Sequence, residues 1–214
     1  MERDAALLGM GTTVASALLK EQTLAIAHVG DSRANRRRNG RLELLTHDHT
    51  WVYEQMIAGY LSEAEAQTHP LKSVVTRALG GDGDFTVDVT EVPVWAGDVF
   101  LLCSDGLNTM LSDDEIDAWL AADATSATGV SSEEICTGLV NDANARGGVD
   151  NVNVVLLYVE DAGDTDTERA LVPQVAERLH REALASPIQL PEQQSYSSLL
   201  TNRRTCLSRS ISNE

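Results

Sequence analysis

The sequence predicts an α+β fold in which antiparallel sheet is covered by helices. Three observations point to it. β-rich runs cluster as hairpins early in the chain, acid-capped amphipathic helices follow in pairs, and strict strand–helix–strand alternation is absent, which disfavours a doubly wound parallel sheet. The chain has 214 residues, 43% of them hydrophobic, enough for one domain with a core. Composition shifts near Glu160, where Asp and Glu and then Pro, Gln and Ser take over. We expect a domain over residues 1–160. The tail over 161–214 is expected to be mostly flexible, with one helix at Val172 to Leu184.

Thr12 to Leu19 and Thr23 to Val29 are rich in β formers, with Lys20-Glu21-Gln22 turning between them. Asn39-Gly40 divides Ala34–Arg38 from Arg41–Leu45, a hairpin signal because both residues tolerate the positive φ of a type I′ turn. Thr50 to Ala58 reads as helix. Leu61 to Ala66 carries a capping box in Ser62 and Glu65. Phe85 to Val92 and Val99 to Cys103 read as strands. Ser112-Asp113-Asp114-Glu115 and Ser131-Ser132-Glu133-Glu134 start two helices. Ile116, Trp119 and Leu120 form the buried stripe of the first, and Ile135, Leu139 and Val140 that of the second, which ends at Gly147-Gly148. Val152 to Val159 is the last strand.

The net charge of −17, from 16 basic and 33 acidic residues, argues against a nucleic-acid surface. Three cysteines, Cys103, Cys136 and Cys206, lie far apart without a CxxC, which suits a reducing, cytoplasmic setting. No apolar run approaches the roughly 18 residues of a membrane span, and no secretory leader of the usual form follows the charged first residues.

In three places an Asp follows or precedes an apolar strand directly. Ala25 to Gly30 leads into Asp31, and Val99 to Ser104 into Asp105. Asp150 stands ahead of the strand from Val152. A carboxylate at the end of a buried strand is costly unless something satisfies it. A turn or cap is one answer and a shared cation the other. Oxygen donors without Cys or a convergent His favour Mg²⁺ or Mn²⁺ over zinc. Such ions acidify a bound water and hold phosphate oxygens, which suits phosphomonoester hydrolysis.

Five motifs then occur in order: Gly11-Thr12-Thr13, His28-Val29-Gly30-Asp31-Ser32-Arg33, Leu45-Thr46-His47-Asp48-His49-Thr50, Leu101-Leu102-Cys103-Ser104-Asp105-Gly106-Leu107 and Gly148-Val149-Asp150-Asn151. Over about residues 9 to 159 the chain resembles the metal-dependent Ser/Thr protein phosphatases of the PPM, or type-2C, family in its bacterial form. The resemblance implies a sandwich of two antiparallel sheets flanked by α-helices, with metals at one end. It implies hydrolysis of phosphoserine and phosphothreonine in proteins by a metal-activated water. Asp105 and Asp150 would be catalytic as ligands of the main Mn²⁺ or Mg²⁺ pair. Asp31 would hold a third, weaker ion with Asp105, and Asn151 would support Asp150 from outside the ligand set. Residues 49–80 look like the family's flap, which influences substrate choice. Phosphoproteins and a Ser/Thr kinase are the implied partners.

Family members carry a further block before the Gly-Thr-Thr strand, with a phosphate-binding Arg and more metal ligands. Residues 1–10 hold no match to it, so the N-terminal strands are expected to be missing and the chain to be a partial product of a phosphatase gene. The alternative is a truncated, catalytically incompetent form that binds a phosphoprotein or a partner chain. Asn153 also departs from the family's Thr.

The remaining candidates take plainer readings. Asp82-Gly83-Asp84 starts like a calcium loop, but Val87 stands where Gly is needed and Pro93 where Glu is needed. His28 reads as a hydrogen-bonded core histidine, and His47 and His49 as a solvent-touching loop pair. Cys103 reads as an inert buried thiol with no basic neighbour, Trp51, Trp95 and Trp119 as core or flap anchors, and Arg36-Arg37-Arg38 as one edge of a solvated hairpin.

Overall fold

A computed structural model describes residues 10–80, 86–122 and 130–159. The proposed tail, its helix, Asp82-Gly83-Asp84 and Cys206 lie outside the described residues. Strands β1 (Val14–Lys20), β2 (Thr23–Val29), β3 (Arg33–Arg38) and β4 (Arg41–Leu44) come first, then helices α1 (Trp51–Ile57) and α2 (Glu63–Thr68). β5 (Asp88–Pro93), β6 (Val99–Cys103), α3 (Asp105–Met110), α4 (Asp113–Ala122), α5 (Ser132–Ala145) and β7 (Val154–Tyr158) follow. The strands form two antiparallel sheets, β1-β2-β5 and β4-β3-β6-β7.

The expected hairpin is present, with Asn39 at φ 52° and Gly40 at φ 74°. The capping boxes at Ser62/Glu65 and Ser131/Glu134 both form, and Ser112 and Glu115 exchange the same pair of bonds. Thr50 caps α1 by accepting the Tyr53 amide.

β6 shows why an unbroken apolar run reads as a strand buried on both faces. Phe100 and Leu102 point between the sheets, joining Leu24, Ile26, Ala34, Val94 and Val159. Val99, Leu101 and Cys103 point the other way, with Val154 and Leu156 of β7. Leu107, Leu111, Ile116, Leu120, Ile135, Leu139 and Ala143 cover that face. α3, α4 and α5 thus close the outer face of the four-stranded sheet.

Several expectations need correction. α3 was not expected; six residues are too few for helical periodicity to show. β5 begins at Asp88, and Phe85 lies outside the described residues. β7 begins at Val154, because Asn153 is held by Ser104 ahead of the strand: its amide donates to Ser104 Oγ (2.9 Å) and its carbonyl accepts the Ser104 amide (3.0 Å).

The arginine run is not one solvated edge. Alternation along β3 sends Arg37 to the helical face, where it meets Asp117 of α4 at 2.8 Å. Arg36 pairs with Glu43, and Arg38 makes two 2.6 Å bonds to the buried carboxylate of Asp98. Trp95 is no core anchor: it is 53% exposed, with the Arg38 guanidinium 3.8 Å over its ring. Trp119 is half-buried, and its indole N–H donates to Asp142 at 2.9 Å.

Candidate functional site

The strand register gathers the three candidate aspartates. Arg33 of β3 stands opposite Cys103 of β6, and Cys103 opposite Val154 of β7. These residues form one row at one end of the four-stranded sheet. Asp31 lies in the turn just before β3, Asp105 just after β6 at the start of α3, and Asp150 in the loop that enters β7.

Two backbone features bring the loops close. An added Cβ on Gly106 would stand 2.5 Å from the Asn151 carbonyl oxygen, so only glycine lets the start of α3 lie against residues 150–151. Ser104 fastens the same contact, donating from Oγ to the Asn151 carbonyl at 2.8 Å. Asp150 Oδ1 accepts the Asn151 amide at 2.7 Å. This bond to Asp150 comes from the main chain of Asn151, not from its side chain.

The electrostatics link Asp105 to each of the other two. Burial and then the charge of Asp105 push Asp31 up to about 6, Asp48 adding to the rise and its own amide and Arg33 opposing it. Burial and then Asp150 raise Asp105, against the pull of the Gly106 amide and its own. Asp31 thus feels the charge of Asp105, and Asp105 that of Asp150. The three do not put one oxygen each within 4.8 Å of one another. The donors are all carboxylate oxygen. Such a set fits hard divalent cations, whose charge would remove the repulsion that raises Asp31 and Asp105.

Asp48 belongs to this surrounding as well. Arg33 binds it through Nε at 2.9 Å and Nη2 at 2.7 Å, and its charge reaches Asp31 and Asp105. The hairpin hinted at this contact. Asn35 pairs with Leu44, so residues just past β4 return beside Arg33. Cys103 has Arg33 as a basic neighbour after all, but burial dominates and pushes its thiol up to about 12.

Within the described residues, a different trio brings donor atoms within 4.8 Å: His28, His49 and Asp88. Neither histidine matches its expectation. His49 is 1% exposed, whereas His47 stays exposed and meets the Tyr53 hydroxyl at 2.7 Å. His28 is also 1% exposed, yet neither ring nitrogen has a hydrogen-bond partner. The β2–β5 register sets His28 opposite Asp88, whose oxygens go to His49 and Arg77 instead. Burial, then the neighbouring His49 ring, lower His28 from 6.5 to about 4. Burial alone would raise Asp88; the His49 bond and the Arg77 guanidinium hold it below the usual carboxylate range.

This trio has the residue types of a zinc site, but His49 has no lone pair to spare. His49 Nδ1 accepts the Gly30 amide at 3.0 Å, so the proton of the neutral ring sits on Nε2, facing Asp88 Oδ2 at 3.0 Å. Neither nitrogen is left to bind a metal, and Arg77 already neutralises Asp88.

Comparison with known proteins agrees with the geometry. Residues 1–139 match the family model described as Protein phosphatase 2C. The chain is 40% identical over 124 residues to the serine/threonine phosphatase stp of Listeria monocytogenes, covering 58% of this chain and 49% of that protein. It thus spans about half the length of that curated relative. The solved Streptococcus agalactiae serine/threonine phosphatase is 36% identical with a TM-score of 0.68, over 74% of this chain and 63% of that one. The catalytic domain of the phosphatase PstP, solved with two manganese ions, is 34% identical with a TM-score of 0.59, over 69% and 58% of the two chains.

Proposed function

The chain belongs to the protein phosphatase 2C family, and on that premise we propose that it hydrolyses phosphoserine and phosphothreonine in proteins with Mn²⁺ or Mg²⁺. The observation that supports the reading is the row Arg33–Cys103–Val154 at one end of the sheet, with Asp31, Asp105 and Asp150 in the segments beside it, Asp31 feeling the charge of Asp105 and Asp105 that of Asp150. A relative that holds two manganese ions supports the choice of metal.

Asp105 and Asp150 would hold the main ions, and Asp31 with Asp105 a further one. When bound, the metal supplies a Lewis acid and an acidified water for attack on phosphorus. The chain's own residues do the placing. Gly106 and Ser104 keep the Asp105 and Asp150 loops in contact, and the Asn151 amide orients the Asp150 carboxylate. Arg33 does not reach for phosphate in this arrangement, because Asp48 occupies its fork.

Phosphoproteins are the proposed substrates, and a Ser/Thr kinase that makes them the proposed counterpart. We place the protein in the cytoplasm; Cys103 and Cys136 are buried and not joined in a disulfide, which suits a reducing compartment. No helix among the described residues is long and apolar enough to cross a membrane.

The test pairs Mn²⁺ binding with turnover. Mn²⁺ should raise the melting temperature of the wild-type chain and leave Asp105→Asn unmoved. Mn²⁺-dependent phosphate release from a phosphothreonine peptide should vanish in the same variant. Equal behaviour of both proteins in both assays overturns the reading. Mn²⁺ binding without release points to a binding module.

A further inference from the structure

We propose that His49 is a positioning residue that holds the Gly30–Asp31 turn and ties it to residues 74–77. The inference rests on the reading of Asp31 as a cation ligand and extends it to a residue that touches no cation.

The turn before Asp31 is demanding. Gly30 has φ +106°, and an added Cβ there would stand 2.2 Å from Thr13 Cγ2. Two hydrogen bonds fasten it to His49. The His49 amide donates to the Gly30 carbonyl at 2.8 Å, and the Gly30 amide donates to His49 Nδ1 at 3.0 Å. Side chain and main chain of one residue thus grip the two peptide units on either side of the Gly30 Cα, the second of which leads into Asp31.

The far side of the ring is anchored too. Nε2–H donates to Asp88 Oδ2 on β5, and Arg77 holds Asp88 Oδ1 at 3.1 Å. A ring fixed at both nitrogens has one tautomer and one orientation. His49 is 1% exposed, so water does not compete for these bonds.

His49 also meets the chain that returns to β5. Its carbonyl accepts the Thr76 amide at 2.8 Å, and the Trp51 amide donates to the Val74 carbonyl at 2.9 Å. Thr50 and Val75 form a β-bridge. The contacts close a circuit: Gly30 to His49, His49 to Asp88, Asp88 to Arg77, and Thr76 back to His49. A displacement of residues 74–77 is therefore passed to the Gly30–Asp31 turn through His49, by its main chain and by its imidazole. Side chains that orient a metal ligand from outside typically change affinity 10–100-fold when replaced.

The experiment uses the ¹⁵N-labelled 214-residue chain, its His49→Leu and His49→Asn variants, and Mn²⁺ as the probe. Asn places Oδ1 where Nδ1 stands, so it keeps the acceptor for Gly30; Leu does not. Ring ¹⁵N shifts should report the Nε2–H tautomer in the wild type. Gly30 amide exchange should be slow in the wild type and His49→Asn and at least tenfold faster in His49→Leu. Mn²⁺ broadening of the Asp31 amide should need about tenfold more metal in His49→Leu, with the Asp150 amide unchanged and His49→Asn close to wild type.

An Nδ1–H tautomer, or Gly30 exchange indifferent to His49→Leu, overturns the proposal. Tight Zn²⁺ binding that shifts the His28 and His49 rings overturns it too, in favour of a metal site. Broadening of Asp31 that is equal in wild type and His49→Leu does the same. If Mn²⁺ broadens none of the three aspartate amides in the wild type, the cation reading of Asp31 falls. The tautomer and the Gly30 exchange still decide whether His49 holds the turn.

Discussion

Two groups of metal-binding residue types lie a few residues apart in this molecule, and they differ in what their lone pairs are doing. Asp31 and Asp150 come from turns and Asp105 from the first residue of α3. Burial and mutual repulsion raise the first two, and the fold leaves the strain of like charges standing. His28, His49 and Asp88 are packed more tightly and have the better composition for zinc. Yet the Gly30 amide, the Nε2 proton and Arg77 have already taken the positions a metal would need. The comparison teaches that residue type proposes a metal site and hydrogen-bond accounting disposes of it. On the proposed readings, one group receives charge and the other holds a turn.

Gly30 stands between the two groups, so breaking it should have the largest effect. Ala at this position must adopt φ +106° and meet Thr13 at 2.2 Å. Backbone strain and overpacking together should cost roughly 4 kcal/mol. Urea unfolding of Gly30→Ala would measure it. A loss below about 1 kcal/mol would show that the turn relaxes freely and that neither group depends on it.

The buried histidine sharpens the contrast through pH. The folded pKa of His28 is about 4, below its ordinary 6.5, so the unfolded chain binds more protons between those values. Stability from this residue is therefore complete above about pH 6.5 and is lost as pH falls toward 4, by about 3 kcal/mol at most. His28→Phe removes the titrating group. Its unfolding free energy should change less than that of the wild type between pH 6.5 and 4. Equal slopes would mean that His28 is protonated in place, with a counter-charge near it.

Much of the scaffold that carries both groups was legible in the sequence. Local chemistry wrote it down: β-branched runs, Asn39-Gly40, and Ser–Glu capping boxes whose partners are three residues apart. The row of aspartates was legible in part, because each directly flanks an apolar run. Asp48, His49 and Asp88 were not. Their partners, Arg33, Gly30 and Arg77, come from other segments of the chain, and only the register between strands brings them together. The arginine run misled for the same reason. Three like charges in sequence look like a solvated edge, but pleating sends them to two faces, where Asp98 and Asp117 wait some 60 and 80 residues further on. The burial of Asp98 and the stacking of Arg38 on Trp95 have no trace in local pattern.

The smallest effect is the most discriminating, because the two groups should answer a lost carboxylate with opposite signs. Asp150→Asn removes a charge that raises Asp105. Without divalent cation at pH 7, repulsion in the folded state drops. Asp150 is exposed, so the gain should be small, on the order of 0.5 kcal/mol. The same substitution should abolish most of the stabilisation that Mn²⁺ gives the wild type. Asp88→Ala instead strips His49 and Arg77 of their shared acceptor, and should destabilise by roughly 1 kcal/mol with or without Mn²⁺. Thermal unfolding of both variants, each with EDTA and with Mn²⁺, measures the four numbers. If Asp150→Asn is destabilising in EDTA, its carboxylate serves the fold through the Asn151 amide more than it strains it. The division between a group kept for charge and a group kept for shape would then have to be redrawn around that hydrogen bond.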